Sequence, residues 1–282
     1  MDTIQNNRTF QSKGRLISFE SPHVMGILNV TPDSFFDGGR YDDSNAVKDR
    51  IARMIEEGAD SIDIGGMSTK PGAANVTLEE EWSRVEQPIA EALSQNAIVS
   101  VDTVKAEIAR RASEMGAHII NDVSAGVLDT DMLATVGQSK SIYIAMHMQG
   151  NPATMQANPH YESVTLDILK YFAIRLNIIK SAGIEQVILD PGFGFGKTVD
   201  HNYQLLNQLS SFGIFDCPIL VGISRKSMVY KVLESSAEDV LPATLGLTMA
   251  ALLQGVQILR VHDIAETVQV VKVFNQLKSN VT

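Results

Sequence analysis

Asp102, Asn121 and Asp190 each close a short apolar run, in Ser100-Val101-Asp102, Ile120-Asn121-Asp122 and Leu189-Asp190-Pro191. An Asp there can simply cap the helix that follows, and Asp102 ahead of Thr103-Val104-Lys105 fits an N-cap. Three acceptor-rich groups at the same kind of ending permit more. Two carboxylates and an amide can grip a flat heterocycle that presents a row of N–H donors and one carbonyl, such as a guanidine-like ring edge. A second set is basic. Arg225 and Lys226 end one run, and Arg260 and His262 end another, where alternation puts both side chains on one side of the strand. Lys197 follows Gly192-Phe193-Gly194-Phe195-Gly196, and Asn29 ends the first run. Cations converging from neighbouring strands make an anion site. The plainer alternative leaves Arg225, Lys197 and His262 as solvated or ion-paired surface groups.

These endings are useful only if something gathers them. Eight apolar runs, over 23–30, 61–64, 98–101, 118–120, 142–146, 187–189, 219–223 and 258–261, each stop at polar or glycine residues. Helical periodicity follows them over 45–59, 78–95, 105–115, 131–136, 164–181, 203–212, 243–254 and 265–277, with an extra helix over 227–233. Gly58, Gly116, Gly183 and Gly255 stand just past helix ends, as left-handed C-caps should. Alternating strands and helices with no linker-like stretch predict an α/β fold, a single (β/α)8 TIM barrel forming one domain over 1–282. In that fold the C-terminal strand ends share one face, where chemistry is done. Residues 9–11 and 16–19 around Ser12-Lys13-Gly14-Arg15 predict an N-terminal β-hairpin closing the bottom of the barrel. Three long loops, 31–44, 65–77 and 147–162, rise from the top face, where long loops are functional lids or disordered segments.

The bulk numbers exclude some classes. Of 282 residues, 44% are hydrophobic and 20% charged, as in ordinary globular proteins. A net charge of −10 argues against a dedicated nucleic-acid binder. It does not exclude an anionic substrate, because a few local cations can dominate a cleft. Cys217 is the only cysteine and cannot form an internal disulfide, which suits a reducing compartment. With no signal-like apolar core and no membrane-length run, the expectation is a cytoplasmic protein with no membrane partner. The Gly192–Gly196 stretch lacks the Gly-Lys-Ser/Thr ending of a phosphate loop and reads better as a loop carrying an aromatic wall. The six histidines show no zinc spacing, whereas Mg2+ carried by a diphosphate needs few protein ligands.

Taken in order, Met25-Gly26-Ile27-Leu28-Asn29-Val30-Thr31-Pro32-Asp33-Ser34-Phe35, Ser68-Thr69-Lys70-Pro71-Gly72-Ala73, Ser100-Val101-Asp102-Thr103, Ile119-Ile120-Asn121-Asp122, Met146-His147-Met148-Gln149-Gly150-Asn151-Pro152, Leu189 through Lys197, Ser224-Arg225-Lys226-Ser227 and Arg260-Val261-His262-Asp263 resemble the dihydropteroate synthase family over nearly the whole chain. The resemblance implies condensation of hydroxymethyl-dihydropterin diphosphate with para-aminobenzoate, assisted by Mg2+, in folate biosynthesis. It implies a homodimer, with the apolar stretch Leu245–Leu253 compatible with a subunit contact, and a target of sulfonamides. By position it implies a pterin site of Asp102, Asn121, Met146, Asp190 and Lys226. It implies a diphosphate site of Asn29, Thr69, Lys70, Arg260 and His262, with Asn29 toward the metal. The aminobenzoate site would be bordered by Phe35, Thr69, Pro71, Phe195, Lys226 and Ser227. The catalytic set it implies is Lys226, Asp190, Arg260, Asp102 and Asp33. The chain departs from the pattern at Met67 and Lys70, where the family usually has Glu and Arg, and Lys keeps the charge without Arg's bidentate fork. Two other readings remain open at this point. One is a barrel that binds methyl-tetrahydrofolate and serves a corrinoid protein, which has no need of the Arg260/His262 anion site. The other is a non-catalytic pterin-binding paralogue.

Overall fold

The computed structural model describes residues 9–30, 43–67, 76–150, 155 and 159–280. β1 (Thr9–Ser12) and β2 (Arg15–Ser18) pair antiparallel around Lys13-Gly14, both with positive φ (50° and 79°), the mirror-image turn that suits a two-residue hairpin. Eight parallel strands follow: β3 (His23–Asn29), β4 (Ser61–Gly65), β5 (Val99–Asp102), β6 (Ile119–Asp122), β7 (Ile142–Met146), β8 (Val187–Asp190), β9 (Leu220–Val221) and β10 (Ile258–Val261). Their order is β8-β7-β6-β5-β4-β3-β10-β9, with the last barrel strand β10 paired to the first, β3, and a parallel bridge from Leu189 to Ile219 joins the two ends of that order, so the ring closes. This is the (β/α)8 barrel that the alternating runs predict.

Around it lie α1 (Asp43–Glu56), α2 (Leu78–Ser94), α3 (Ala106–Met115), α4 (Met132–Ser139), α5 (Val164–Ser181), α6 (Val199–Asn207), α7 (Ser227–Tyr230), α8 (Leu241–Leu253) and α9 (Ile264–Ser279). Three details differ from the sequence reading. α6 starts four residues before 203, because Thr198 and His201 form a reciprocal capping box, and it ends at Asn207 in a 3-10 helix, Leu209–Phe215. The extra helix is one turn, the seventh barrel strand keeps only Leu220–Val221, and the chain turns between them at Arg225 (φ 56°). Gly58, Gly116, Gly183 and Gly255 all take positive φ. No helix among the described residues is long and apolar enough to cross a membrane.

Strand alternation divides the apolar side chains into two cores. Val24, Ile62, Val101, Ile120, Tyr143, Leu189 and Leu259 face outward and pack under the helices. Met25, Ile119, Ile142, Ile144, Ile188, Leu220 and Ile258 face inward and form one cluster with Phe10, Ile17 and Phe19 of the hairpin segment. The hairpin is tied to the lower strand ends by Ser12 Oγ donating to His118 O (2.8 Å) and Arg15 Nη1 donating to Asn96 O (2.7 Å). It therefore closes the bottom, as predicted.

Candidate active site

One inward step above the apolar cluster the same strands turn polar. Ladder register sets Asn29 beside Gly65, Gly65 beside Asp102 and Asp102 beside Asn121, a continuous row across β3, β4, β5 and β6. Behind this row Asp63 is fully buried. It accepts from Ser100 Oγ (2.6 Å), Asn121 Nδ2 (3.0 Å) and Arg260 Nε (2.6 Å). Arg260, from β10, also donates through Nη2 to Asp102 Oδ2 at 2.8 Å. One guanidinium thus binds two carboxylates, the pairing that makes buried charge tolerable. Burial pushes the Asp102 carboxyl well above its ordinary range, and Asp63 adds to the shift while Arg260 opposes it.

The other half of the mouth comes from β7, β8 and the loops after β8 and β9. Met146 pairs with Asp190 in the ladder and is buried against the loop. Asp190 Oδ1 accepts from Gly192 N at 2.8 Å, and its carboxyl is raised by burial, with Lys226 pulling the other way. Gly192 (φ 75°) is required here, because a Cβ would stand 1.9 Å from His147 O. Lys226 Nζ donates to Phe193 O (2.5 Å) and lies 4.8 Å from the centre of the Phe195 ring, a cation–π distance. Burial lowers the Lys226 amine to about 8. Ser227, half-buried, begins α7 directly behind it.

The structure brings Asn29, Asp102, Asn121, Asp190, Lys226 and Arg260 to one mouth and sorts the remaining basic residues. Lys197 does not belong to an anion site. It is buried, with Nζ donating to Gly192 O (2.8 Å) and Phe195 O (3.1 Å) and touching His147 Nδ1 (3.1 Å), so it fastens the glycine-rich loop from below. Burial lowers its amine to about 7. Arg225 is exposed and pairs with Asp263 (Nε to Oδ2, 3.2 Å). His262 lies beside Ser224 (Nδ1 to Oγ, 3.0 Å), and burial followed by Arg260 lowers its imidazole to about 4, so it is neutral at pH 7. Nor does Asp102 cap a helix: the first amide of α3, Ala106 N, donates to Asp129 Oδ2 at 2.7 Å instead. Asp33, Phe35, Thr69, Lys70 and Pro71 lie outside the described residues.

Asp63 is the residue that reading the endings missed as a site group. Its signal was present: in Ser61-Ile62-Asp63-Ile64-Gly65 an acid alternates with isoleucines and therefore shares the inward parity of Gly65.

The arrangement can recognise a ring edge of N–H donors at Asp102, Asn121 and Asp190, and it has Lys226 and Arg260 available to anionic or carbonyl groups. Similarity to known proteins agrees. A family model for pterin-binding enzymes matches residues 25–262. The dihydropteroate synthase of Escherichia coli (strain K12) is 44% identical over 269 residues, covering 93% of this chain and 94% of that protein. The dihydropteroate synthase of Yersinia pestis, solved as a sulfonamide drug complex, superposes with a TM-score of 0.90 at 40% identity, covering 96% of this chain and 99% of that one. The Xanthomonas albilineans dihydropteroate synthase with 4-aminobenzoic acid gives 0.90 at 36% identity, covering 96% and 98%.

Proposed function

The chain belongs to the pterin-binding enzyme family, in its dihydropteroate synthase branch, and from that premise we propose that its mouth joins hydroxymethyl-dihydropterin diphosphate to para-aminobenzoate. The observation that carries this reading is the acceptor set of buried Asn121 and Asp190 with half-buried Asp102, gathered at one mouth with Lys226 and Arg260. Asp102, Asn121 and Asp190 accept the ring N–H groups of the pterin, Met146 packs on the ring, and Lys226 donates to a ring acceptor. The C–O bond to diphosphate breaks with its electron pair leaving on diphosphate. The arylamine nitrogen then bonds the methylene carbon and loses its proton. Arg260, His262 and Asn29 face the leaving charge, the family pattern adds Thr69 and Lys70, and electrostatic stabilisation there is the main catalytic contribution. His262, being neutral, serves as a hydrogen-bonding group rather than a cation. Phe195 and Ser227 wall the aminobenzoate, to which the family pattern adds Phe35, Thr69 and Pro71, and it assigns Asp33 to the reacting centre. An arylamine is a weak nucleophile, so holding both partners in line supplies most of the remainder.

Mg2+ fits this mouth through Asn29. Its exposed amide oxygen hangs over Gly65, 3.6 Å from where a Cβ would be, with Asp102 Cβ 3.5 Å from the same point. No group of three His, Cys, Asp or Glu that could hold a metal occurs among the described residues, which suits an ion bound mainly by substrate phosphates. When bound it would offset charge on the leaving diphosphate. The same reading makes the chain a sulfonamide target, because such drugs would occupy the wall formed by Phe195 and Lys226. It also makes it a cytoplasmic homodimer that joins through α8, whose half-buried Leu245, Leu247 and Met249 and exposed Leu253 leave an apolar surface.

The test is direct. With both substrates and Mg2+ present, diphosphate should appear only when aminobenzoate is supplied. Absence of release under those conditions refutes the assignment.

A further inference from the structure

We propose that Asp63 is the positioning residue that decides what the mouth recognises, by fixing the direction of the Asn121 amide and the reach of Arg260. The proposal rests on the pterin reading above and adds a group that never touches substrate, since Asp63 is fully buried.

Asp63 presents a carboxylate to its neighbours. Ionised, it only accepts hydrogen bonds. The Asn121 side chain stands 3.0 Å from Asp63 Oδ2, so it must present its NH2 there. Its carbonyl oxygen is then obliged to face the other way, into the mouth. An asparagine with no such neighbour can turn end for end and offer a ring either a donor or an acceptor. Held by Asp63, position 121 offers an acceptor, and it selects a ring N–H over a ring carbonyl. Discrimination of this kind is large, because the wrong partner leaves buried polar groups unpaired.

The same oxygen receives Arg260 Nε at 2.6 Å, while Arg260 Nη2 reaches Asp102 at 2.8 Å. Asp63 thereby anchors the guanidinium at its stem while Nη2 reaches across to Asp102. Its second oxygen is held by Ser100 Oγ at 2.6 Å, which keeps the carboxylate plane from rotating. Three donors from β5, β6 and β10 thus converge on one group of β4. The heterocycle grip and the anion grip are set by a single side chain.

Three variants separate orientation from charge and from bulk. Asp63→Ala frees the Asn121 amide and should raise the KM for the pterin diphosphate at least about tenfold, the size expected when one buried hydrogen-bond partner is lost. The aminobenzoate KM should stay within about twofold, because among the described residues Phe195, Lys226 and Ser227 of that site make no hydrogen bond or ion pair with Asp63. Asp63→Asn keeps an acceptor toward Asn121 and Arg260, as the Ser100 hydroxyl can turn to accept the new NH2, so its pterin KM should stay within about threefold of the unsubstituted protein. Asp63→Ala/Asn121→Asp places a carboxylate at 121, which offers an acceptor whichever way it turns, and should recover most of the lost pterin affinity.

An unchanged pterin KM in Asp63→Ala overturns the proposal. So does an Asn variant as impaired as the Ala variant, or a double variant with no recovery. If Asp63→Ala does not fold, the double variant, which conserves the charge of the cluster and keeps a carboxylate near Arg260, still decides, and a pterin KM about tenfold above normal there would overturn it. Failure of the unsubstituted protein to release diphosphate refutes the function instead, so the two ideas fail by different results.

Discussion

At the lower end of the barrel, Met25, Ile119, Ile142, Ile144, Ile188, Leu220 and Ile258 fill the interior and meet Phe10, Ile17 and Phe19 of the hairpin segment. Two residues further along, β4, β5, β6, β8 and β10 supply Asp63, Asp102, Asn121, Asp190 and Arg260 on the same inward side. The backbone geometry of the two layers is alike, and the constraint on their side chains is not. An apolar layer asks for volume and hydrophobicity, which several residues supply. A buried charged layer asks for named partners at hydrogen-bond distance, since each unpaired ion costs several kcal/mol. The lower layer is therefore replaceable scaffold, and the upper layer is fixed by its pairings as well as by its substrates.

Three experiments sharpen or break that contrast. The largest effect is expected for Arg260→Met. It leaves Asp63 and Asp102 without the guanidinium that hydrogen-bonds both, and breaking such a buried pair costs about 3–5 kcal/mol. Denaturant melts should show that loss together with loss of diphosphate release, and acidification should restore part of the stability by protonating Asp102, whose carboxyl is already raised. Normal stability in Arg260→Met would mean that the layer does not depend on its ion pairs. Next comes Ile144→Ala in the lower layer, expected to cost about 2–5 kcal/mol from lost transfer energy plus a cavity. At a temperature where the variant is folded, kcat and both KM values should match the unsubstituted protein. A selective rise in one KM would show that the layers are coupled.

The smallest effect concerns pH. His23, whose Nε2 sits 2.8 Å from Ser61 Oγ, is lowered by burial to about 4, and burial likewise lowers His118 to about 4. A histidine lowered in the fold takes up its proton first in the unfolded chain, so its contribution is present above pH 6.5 and is lost as pH falls toward 4. Asp102 and Asp190, raised in the fold, act in the opposite direction over the acidic range. The variant His23→Gln should therefore show a smaller drop in melting temperature between about pH 7 and pH 5 than the unsubstituted protein. An equal drop would remove His23 from the account.

Much of this is legible in the chain alone. The barrel, the hairpin plug and the common face of Asn29, Asp102, Asn121, Asp190, Lys226 and Arg260 follow from runs of alternating strand and helix periodicity, which is a local property of the chain. Reading failed where parity and pairing decided. Lys197, Arg225 and His262 all follow strand ends and looked equivalent as cations. One is turned under its loop, one is paired with Asp263 outside, and one is neutralised by burial. Asp63 failed in the other direction, looking like part of a strand while serving as the hub of the site.

The sequence by itself determined the element order, the family and the row of acceptors, because hydrophobic period and strand-end residue type are written along the chain. Only the tertiary structure decided which charges meet. Asp63 and Arg260 are far apart in the chain, and their contact exists because ring closure sets β10 beside β3 and β4 next to it. Partner choice for a buried charge is a property of that closure, since no single strand holds both halves of the pair.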